Sequence, residues 1–218
     1  MKELIFSPSE FAFGYSGCKR CYYDLKNDNL RVSTAFPSIF SKLDRLQKEF
    51  YHDQNTDVLS ANIEPGKIKT DYEKLQKSET LKDKKGREFI LRGKIDAYID
   101  HRTFYSIIDF KVTDIDEKKI ELYKTQLLSY AIMFERPNEK CLKLTPIKNL
   151  GIFCFEPEKI HSVNDKPSFN MKTQYYPIQR DDDYLLSFIT EIIDFLEGPK
   201  PSFDEKCGLC NLKKNNFN

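Results

Sequence analysis

Asp109 and Lys111 stand two residues apart in the run Ile107-Ile108-Asp109-Phe110-Lys111, and Asp96 precedes Asp109 by thirteen positions. The apolar residues from Tyr105 to Phe110 predict a β-strand, and Glu88 to Asp100 predicts another before it, across the charged turn His101-Arg102-Thr103. Side chains alternate along a strand, so Asp109 and Lys111 share one face while Ile108 and Phe110 share the other. The hairpin then brings Asp96, near the end of its first strand, beside Asp109. Two carboxylates with an ammonium alongside suit a hard divalent cation, Mg²⁺ or Mn²⁺, and a lysine that orients or deprotonates a water for in-line attack at phosphorus. An Asp-x-Lys pair is also an ordinary solvated charge pair. Here Asp109 follows two isoleucines and precedes Phe110, which predicts a buried strand where an unpaired carboxylate is costly.

These residues need a sheet beneath them and a helix over them. Lys118 to Glu135 predicts that helix, with Ile120, Tyr123, Leu127, Tyr130, Ala131 and Phe134 at helical spacing. It sets Gln126 and Tyr130 four residues apart on one face. Taken alone, the two are a helix-face amide and a core tyrosine.

Gly93-Lys94-Ile95-Asp96, then Ile108-Asp109-Phe110-Lys111-Val112-Thr113, then Gln126-Leu127-Leu128-Ser129-Tyr130 together resemble the RecB-type branch of the PD-(D/E)XK nuclease superfamily. The ordered combination is far more specific than any single motif. The resemblance implies metal-dependent cleavage of DNA phosphodiesters, with exonuclease or single-strand action. Carried over, Asp96 and Asp109 are metal ligands, the Phe110 carbonyl a further ligand and Lys111 the catalytic lysine. Gln126 and Tyr130 hold the site or the strand. A ligand from a helix ahead of the hairpin completes the shell in that family, and Asp44, Glu49 and His52 are offered here, with His52 placed first.

Two Cys-x-x-Cys pairs, Cys18-Lys19-Arg20-Cys21 and Cys207-Gly208-Leu209-Cys210, lie at opposite ends of the chain. That spacing lets both sulfurs of a pair reach one metal centre, so the fold is expected to bring the ends together as a clasp of residues 1–35 and 199–218. By spacing alone the four thiolates suit Zn²⁺ as well as an iron–sulfur centre. The pairs resemble the cysteines of CRISPR-associated and AddB-like iron–sulfur nucleases, which implies a [4Fe-4S] cluster. Those families place one cysteine before the core and three after, so two and two is a departure. Cys141 and Cys154 are read as free cysteines filling volume.

Elsewhere, Ser7-Pro8-Ser9-Glu10 starts a short helix, Ser7 and Glu10 at capping-box spacing. Ser38 opens a second, whose apolar face of Ile39, Phe40, Leu43, Leu46 and Phe50 is expected to pack on the sheet. Lys67 to Tyr72, Ile147 to Phe155 and Met171 to Ile178 predict further strands. Asp181 to Asp183 caps a last helix, buried through Leu185, Ile189, Ile192, Ile193 and Leu196 and stopped by Gly198-Pro199.

The fold expected is α/β, a restriction-endonuclease-like mixed sheet of about four or five strands flanked by helices, in one domain spanning residues 1–218. Hydrophobic residues at 39%, with 17 Phe and 12 Tyr, are enough for a core. A net charge of +1 argues against an extended basic grip on a duplex and leaves room for a local groove. With no 18-residue apolar run and no hydrophobic leader, a soluble cytoplasmic chain without membrane contact is expected. The partners expected are DNA and proteins of a recombination or CRISPR-type complex. Two other readings compete with a nuclease: a catalytically silent nucleic-acid-binding module of the same fold, and a structural zinc protein with incidental aspartates.

Overall fold

The computed structural model describes residues 3–30, 37–70, 74–113 and 116–216, with the side chains of 117–119 and 214–216 excepted. In chain order the strands are β1 (Leu4–Phe6), β2 (Lys67–Lys69), β3 (Gln76–Lys77), β4 (Leu81–Lys82), β5 (Glu88–Gly93), β6 (Ala97–Asp100), β7 (Tyr105–Val112), β8 (Ile147–Val163) and β9 (Lys166–Ile178). The helices are α1 (Pro8–Glu10), α2 (Lys19–Asn27), α3 (Ser38–Tyr51), α4 (Glu117–Glu135), α5 (Asp182–Glu197) and α6 (Gly208–Asn216), and α1 runs on into a π-helical turn, Phe11–Tyr15.

Two mixed sheets form. The larger has the order β2-β6-β7-β8-β9, with only β7 and β8 parallel. Parallel neighbours need a crossover connection, and α4 supplies it. The smaller sheet is built on β5, which β1 joins in parallel and β3 and β4 in antiparallel pairing. The expected mixed α/β architecture with flanking helices is therefore present, and it also divides the strand expected over Glu88 to Asp100. Residues 88–93 belong to the smaller sheet and 97–100 to the larger, so the chain changes sheets at Lys94–Asp96. Asp96 consequently sits in the bend just before β6 rather than near a strand's end.

Alternation on β7 assigns its two faces as expected. Ile107 joins a core with Ile152, Leu127, Leu128, Ala131 and the α5 residues Leu185, Ile189, Ile192, Ile193 and Leu196. Ile108 and Phe110 face a second core with Ile68, Ala97, Ile99, Phe153, Phe155 and Tyr51. The Asp181 side chain accepts a hydrogen bond from the Tyr184 N–H at 2.9 Å, the N-cap expected from the aspartate run. Arg180, next to it, reaches Glu135 at the end of α4 through both guanidinium nitrogens and the Ile147 carbonyl at the start of β8. One arginine thus ties three elements together.

Two expectations change. The apolar face of α3 does not pack on the sheet: Ile39, Phe40, Leu46 and Phe50 are exposed, and Tyr51 makes the contact instead, its ring 5.5–5.8 Å from those of Phe110, Phe153 and Phe155. The exposed face lines one side of an open apolar groove whose other side is Val112, Phe155, Pro157, Phe169 and Met171. Strands β8 and β9 also extend far beyond their apolar runs, as a ribbon turned by Asn164 and Asp165, both at positive φ. That pair of backbones is the two-residue turn that matches strand twist. No helix among the described residues is long and apolar enough to cross a membrane.

Candidate active site and the terminal thiolate cluster

Strand β7 carries Asp109 into the layer between the sheet and α4, where it is 2% exposed. Its Oδ2 lies 2.5 Å from Lys111 Nζ. Its Oδ1 accepts a hydrogen bond from the Gln126 amide nitrogen at 3.1 Å, and the same nitrogen donates to the Tyr130 hydroxyl at 3.2 Å. Helical spacing on α4 therefore delivers Gln126 and Tyr130 together. Among the described residues Gln126 Oε1 is buried without a hydrogen-bond partner, and apart from the lysine ammonium Asp109 Oδ2 has no donor in good geometry.

Asp96 approaches from the other edge of β7, its Oδ2 accepting the Phe110 N–H at 3.0 Å. It also raises the pKa of Asp109. Burial is the larger cause, and although Lys111 works against it, the Asp109 carboxyl is pushed up to about 6. Burial depresses Lys111, but Asp109 and Asp96 outweigh it and hold that ammonium above its ordinary range. The Lys111 Nζ also lies 4.8 Å from the centre of the Tyr123 ring. Gly93 has a steric reason at its position: a Cβ there would meet Pro8 Cδ at 3.0 Å and Tyr130 Cε1 at 3.3 Å.

Of the three residues offered as a further ligand, Asp44 and Glu49 on α3 and His52 just after it, Asp44 is tied to this chemistry. Lys48 Nζ bridges Asp44 Oδ2 at 3.0 Å and Asp96 Oδ1 at 3.2 Å. His52 is engaged elsewhere, its Nδ1 3.3 Å from Thr70 Oγ1 and its Nε2 3.3 Å from Asp53 Oδ2. Glu49 pairs with Arg45 on the helix exterior at 3.6 Å. Among the described residues no third carboxylate, histidine or cysteine joins Asp96 and Asp109 in a ligand group. Lys48 is the residue that sequence reasoning missed. Its i,i+4 partner Asp44 was visible, but the link to Asp96 exists only in the fold.

Elsewhere in the fold the two cysteine pairs meet. Their four sulfurs lie within 4.8 Å of one another, with Cys18–Cys210 at 3.5 Å, Cys21–Cys210 at 3.6 Å and Cys21–Cys207 at 3.8 Å. Helix α2 begins directly after Cys18, and α6 begins directly after Cys207. Buried Asp24 on α2 locks the two together, with Lys213 of α6 at 2.9 Å, Lys200 at 2.9 Å and Arg20 at 3.0 Å. Cys154 is buried beside the acidic site and Cys141 lies apart from both, its sulfur accepting the Lys77 N–H.

The sequence matches a family model described as the PD-(D/E)XK nuclease superfamily over residues 27–214. The fold is similar to a solved structure titled "Crystal structure of SSO0001", with a TM-score of 0.54 and 16% sequence identity. That alignment covers 98% of this chain and 86% of the other. No curated protein matches the sequence.

Proposed function

Because the chain belongs to the PD-(D/E)XK nuclease superfamily, we propose that it is a divalent-metal-dependent deoxyribonuclease of the RecB type. It hydrolyses phosphodiester bonds at Asp96, Asp109 and Lys111. The observation that carries the reading is the setting of Asp109: a buried carboxyl raised to about 6, with the Asp96 carboxylate close enough to help raise it and the Lys111 ammonium on its Oδ2. Two neighbouring carboxylates are hard oxygen ligands of the kind that suit Mg²⁺ or Mn²⁺.

Asp96, Asp109 and the Phe110 carbonyl are the atoms that would hold the ion. The N–H and C=O of one strand residue face the same edge, so the N–H bond from Phe110 to Asp96 places its carbonyl on that edge too. A bound divalent ion would polarise the phosphate and make water a stronger nucleophile. Lys111, kept protonated by the two carboxylates, offers its charge to the phosphate as the water oxygen bonds to phosphorus and the leaving oxygen departs. This favours the orienting role over proton abstraction. Gln126 fixes the rotamer of Asp109, and Tyr130 fixes Gln126. Residues 1–218 act as one nuclease unit closed by the 1–35 and 199–218 clasp, on single-stranded DNA or DNA ends, in the cytoplasm and alongside protein partners of DNA processing.

The ion pair of Lys48 with Asp96 favours a second reading, a silent binding module, since it neutralises a carboxylate the metal needs. The deciding assay is cleavage of end-labelled single- and double-stranded DNA by anaerobically purified protein in Mg²⁺, Mn²⁺ or EDTA, beside Lys111→Ala. Cutting that needs the metal and disappears in the variant is expected. DNA retained without cutting selects the silent module.

A further inference from the structure

We infer that the terminal thiolate cluster binds one tetrahedral zinc ion and not the [4Fe-4S] cluster that the family resemblance implies. The reason is the spacing of the sulfurs. A tetrahedral ion with metal–sulfur bonds of about 2.3 Å sets its sulfurs roughly 3.8 Å apart. Three edges of this tetrahedron are 3.5, 3.6 and 3.8 Å, and no sulfur is more than 4.8 Å from another. A four-iron cube places each thiolate on a different iron, with the cube between them, and needs the sulfurs farther apart than this 4.8 Å envelope.

Space next to the sulfurs does not rescue the larger group. A cleft lined by Phe13, Tyr22, Leu25 and Leu30 touches Cys18, Cys21 and Cys207, but Cys210 does not line it. The cleft therefore lies beside the four-sulfur tetrahedron and not inside it. Seating a cube among the four would require the Cys18-x-x-Cys21 and Cys207-x-x-Cys210 segments to move apart. The charge network on Asp24 opposes that, because Lys213 bonds it across the same α2–α6 junction with both side chains nearly fully buried. Four thiolates in two x₂-spaced pairs are a complete donor set for zinc, closed to water and substrate, which marks a structural ion. Binding displaces the thiol protons, Zn²⁺ taking four thiolates and releasing four H⁺.

The test reads metal content and not cleavage, so its outcome is separate from that of the nuclease reading. The full chain is purified without oxygen from cells supplied with both iron and zinc, and zinc, iron and acid-labile sulfide are counted. One zinc per chain and no sulfide are expected. Anaerobic incubation of the chelator-treated protein with ferrous iron and sulfide is expected to leave it without cluster absorbance, while Co²⁺ gives the intense visible bands of a tetrahedral thiolate site. Cys21→Ser should lose the zinc; if that variant fails to fold, the Co²⁺ spectrum of the wild-type chain decides. Four irons with sulfide, one iron without sulfide, or a reduced chain that takes up neither Zn²⁺ nor Co²⁺ each overturns the assignment.

Discussion

Asp24→Asn is the sharpest perturbation of the clasp that leaves its cysteines intact. Asp24 is 1% exposed and holds three cations: Lys213 on one oxygen, Arg20 and Lys200 on the other. The near-isosteric amide keeps the volume and removes the charge. Arg20 keeps the Pro201 carbonyl at 2.7 Å, and Lys200 keeps Asp28. Lys213 is the residue left exposed to the loss, since its side chain is only 6% accessible and Asp24 is its acid among the described residues. Breaking one partner out of a buried pair costs about 3–5 kcal/mol, and the two better-solvated cations place this case at the lower end, about 3 kcal/mol.

For a chain of this length that is a Tm drop of roughly 6 to 12 °C. The pH dependence gives an independent check. Burial pushes the Asp24 carboxyl up, but Lys213, Lys200 and Arg20 outweigh it and hold it below the usual carboxylate range. A depressed carboxyl contributes stability above its unfolded pKa and loses it as pH falls through the folded value. The gap between wild type and variant should be full above about pH 5 and close as pH drops below about 4. Denaturant unfolding of the two reduced, chelator-treated proteins across that range measures it without the acid release of a thiolate-bound ion. A gap under about 1 kcal/mol at pH 7, or one that does not narrow in acid, refutes the account.

Asp109→Asn should abolish metal-dependent cutting without destabilising the fold. Its raised carboxyl carries the opposite sign: in EDTA the burial penalty is absent below about pH 4 and grows as pH rises to about 6, so wild type should lose up to about 3 kcal/mol relative to the variant over that interval. Thermal melts in EDTA at pH 4 and pH 7 check it, and a variant clearly less stable at pH 7 makes Asp109 structural. Lys48→Met should tighten Mn²⁺ binding by about tenfold, since it removes a cation 3.2 Å from Asp96; calorimetric titration without DNA reads it, and unchanged affinity shows that Lys48 does not compete with the ion.

What the sequence revealed followed from local periodicity. The two-residue alternation of β7 separates Asp109 and Lys111 from Ile108 and Phe110, and the helical repeat of α4 pairs Gln126 with Tyr130; both signals are written in contiguous residues. The x₂ spacing likewise marked each cysteine pair as half of a metal site, while the joining of the two halves leaned on the family resemblance. Non-local facts were not written there. Nothing in Glu88 to Asp100 says that its halves serve different sheets, because both halves are apolar and the division depends on β1 and β2 arriving as partners. The amphipathic stripe of α3 indicated burial, yet its apolar residues border an open groove and the anchoring contact comes from Tyr51 at the helix end. Lys48 was hidden for the same reason.

Packing links the clasp to the acidic site through a short series of contacts. Cys21 is followed by Tyr22, which is buried, donates to Glu10 at 2.9 Å and meets the Tyr15 ring edge-on at 5.5 Å. Tyr15 belongs to the same π turn as Phe13, whose ring lies 5.7 Å from Tyr123, the ring beneath Lys111. The turn that the clasp fixes is therefore a turn that α4 leans on while presenting Gln126 to Asp109. The ends joined there are separated by up to 192 residues, and a cross-link over so long a loop removes about 5 kcal/mol of chain entropy from the unfolded state. A metal in this position need not touch DNA to matter. It would stabilise the fold by restricting the unfolded chain, and it would steady the helix layer against which Lys111 rests.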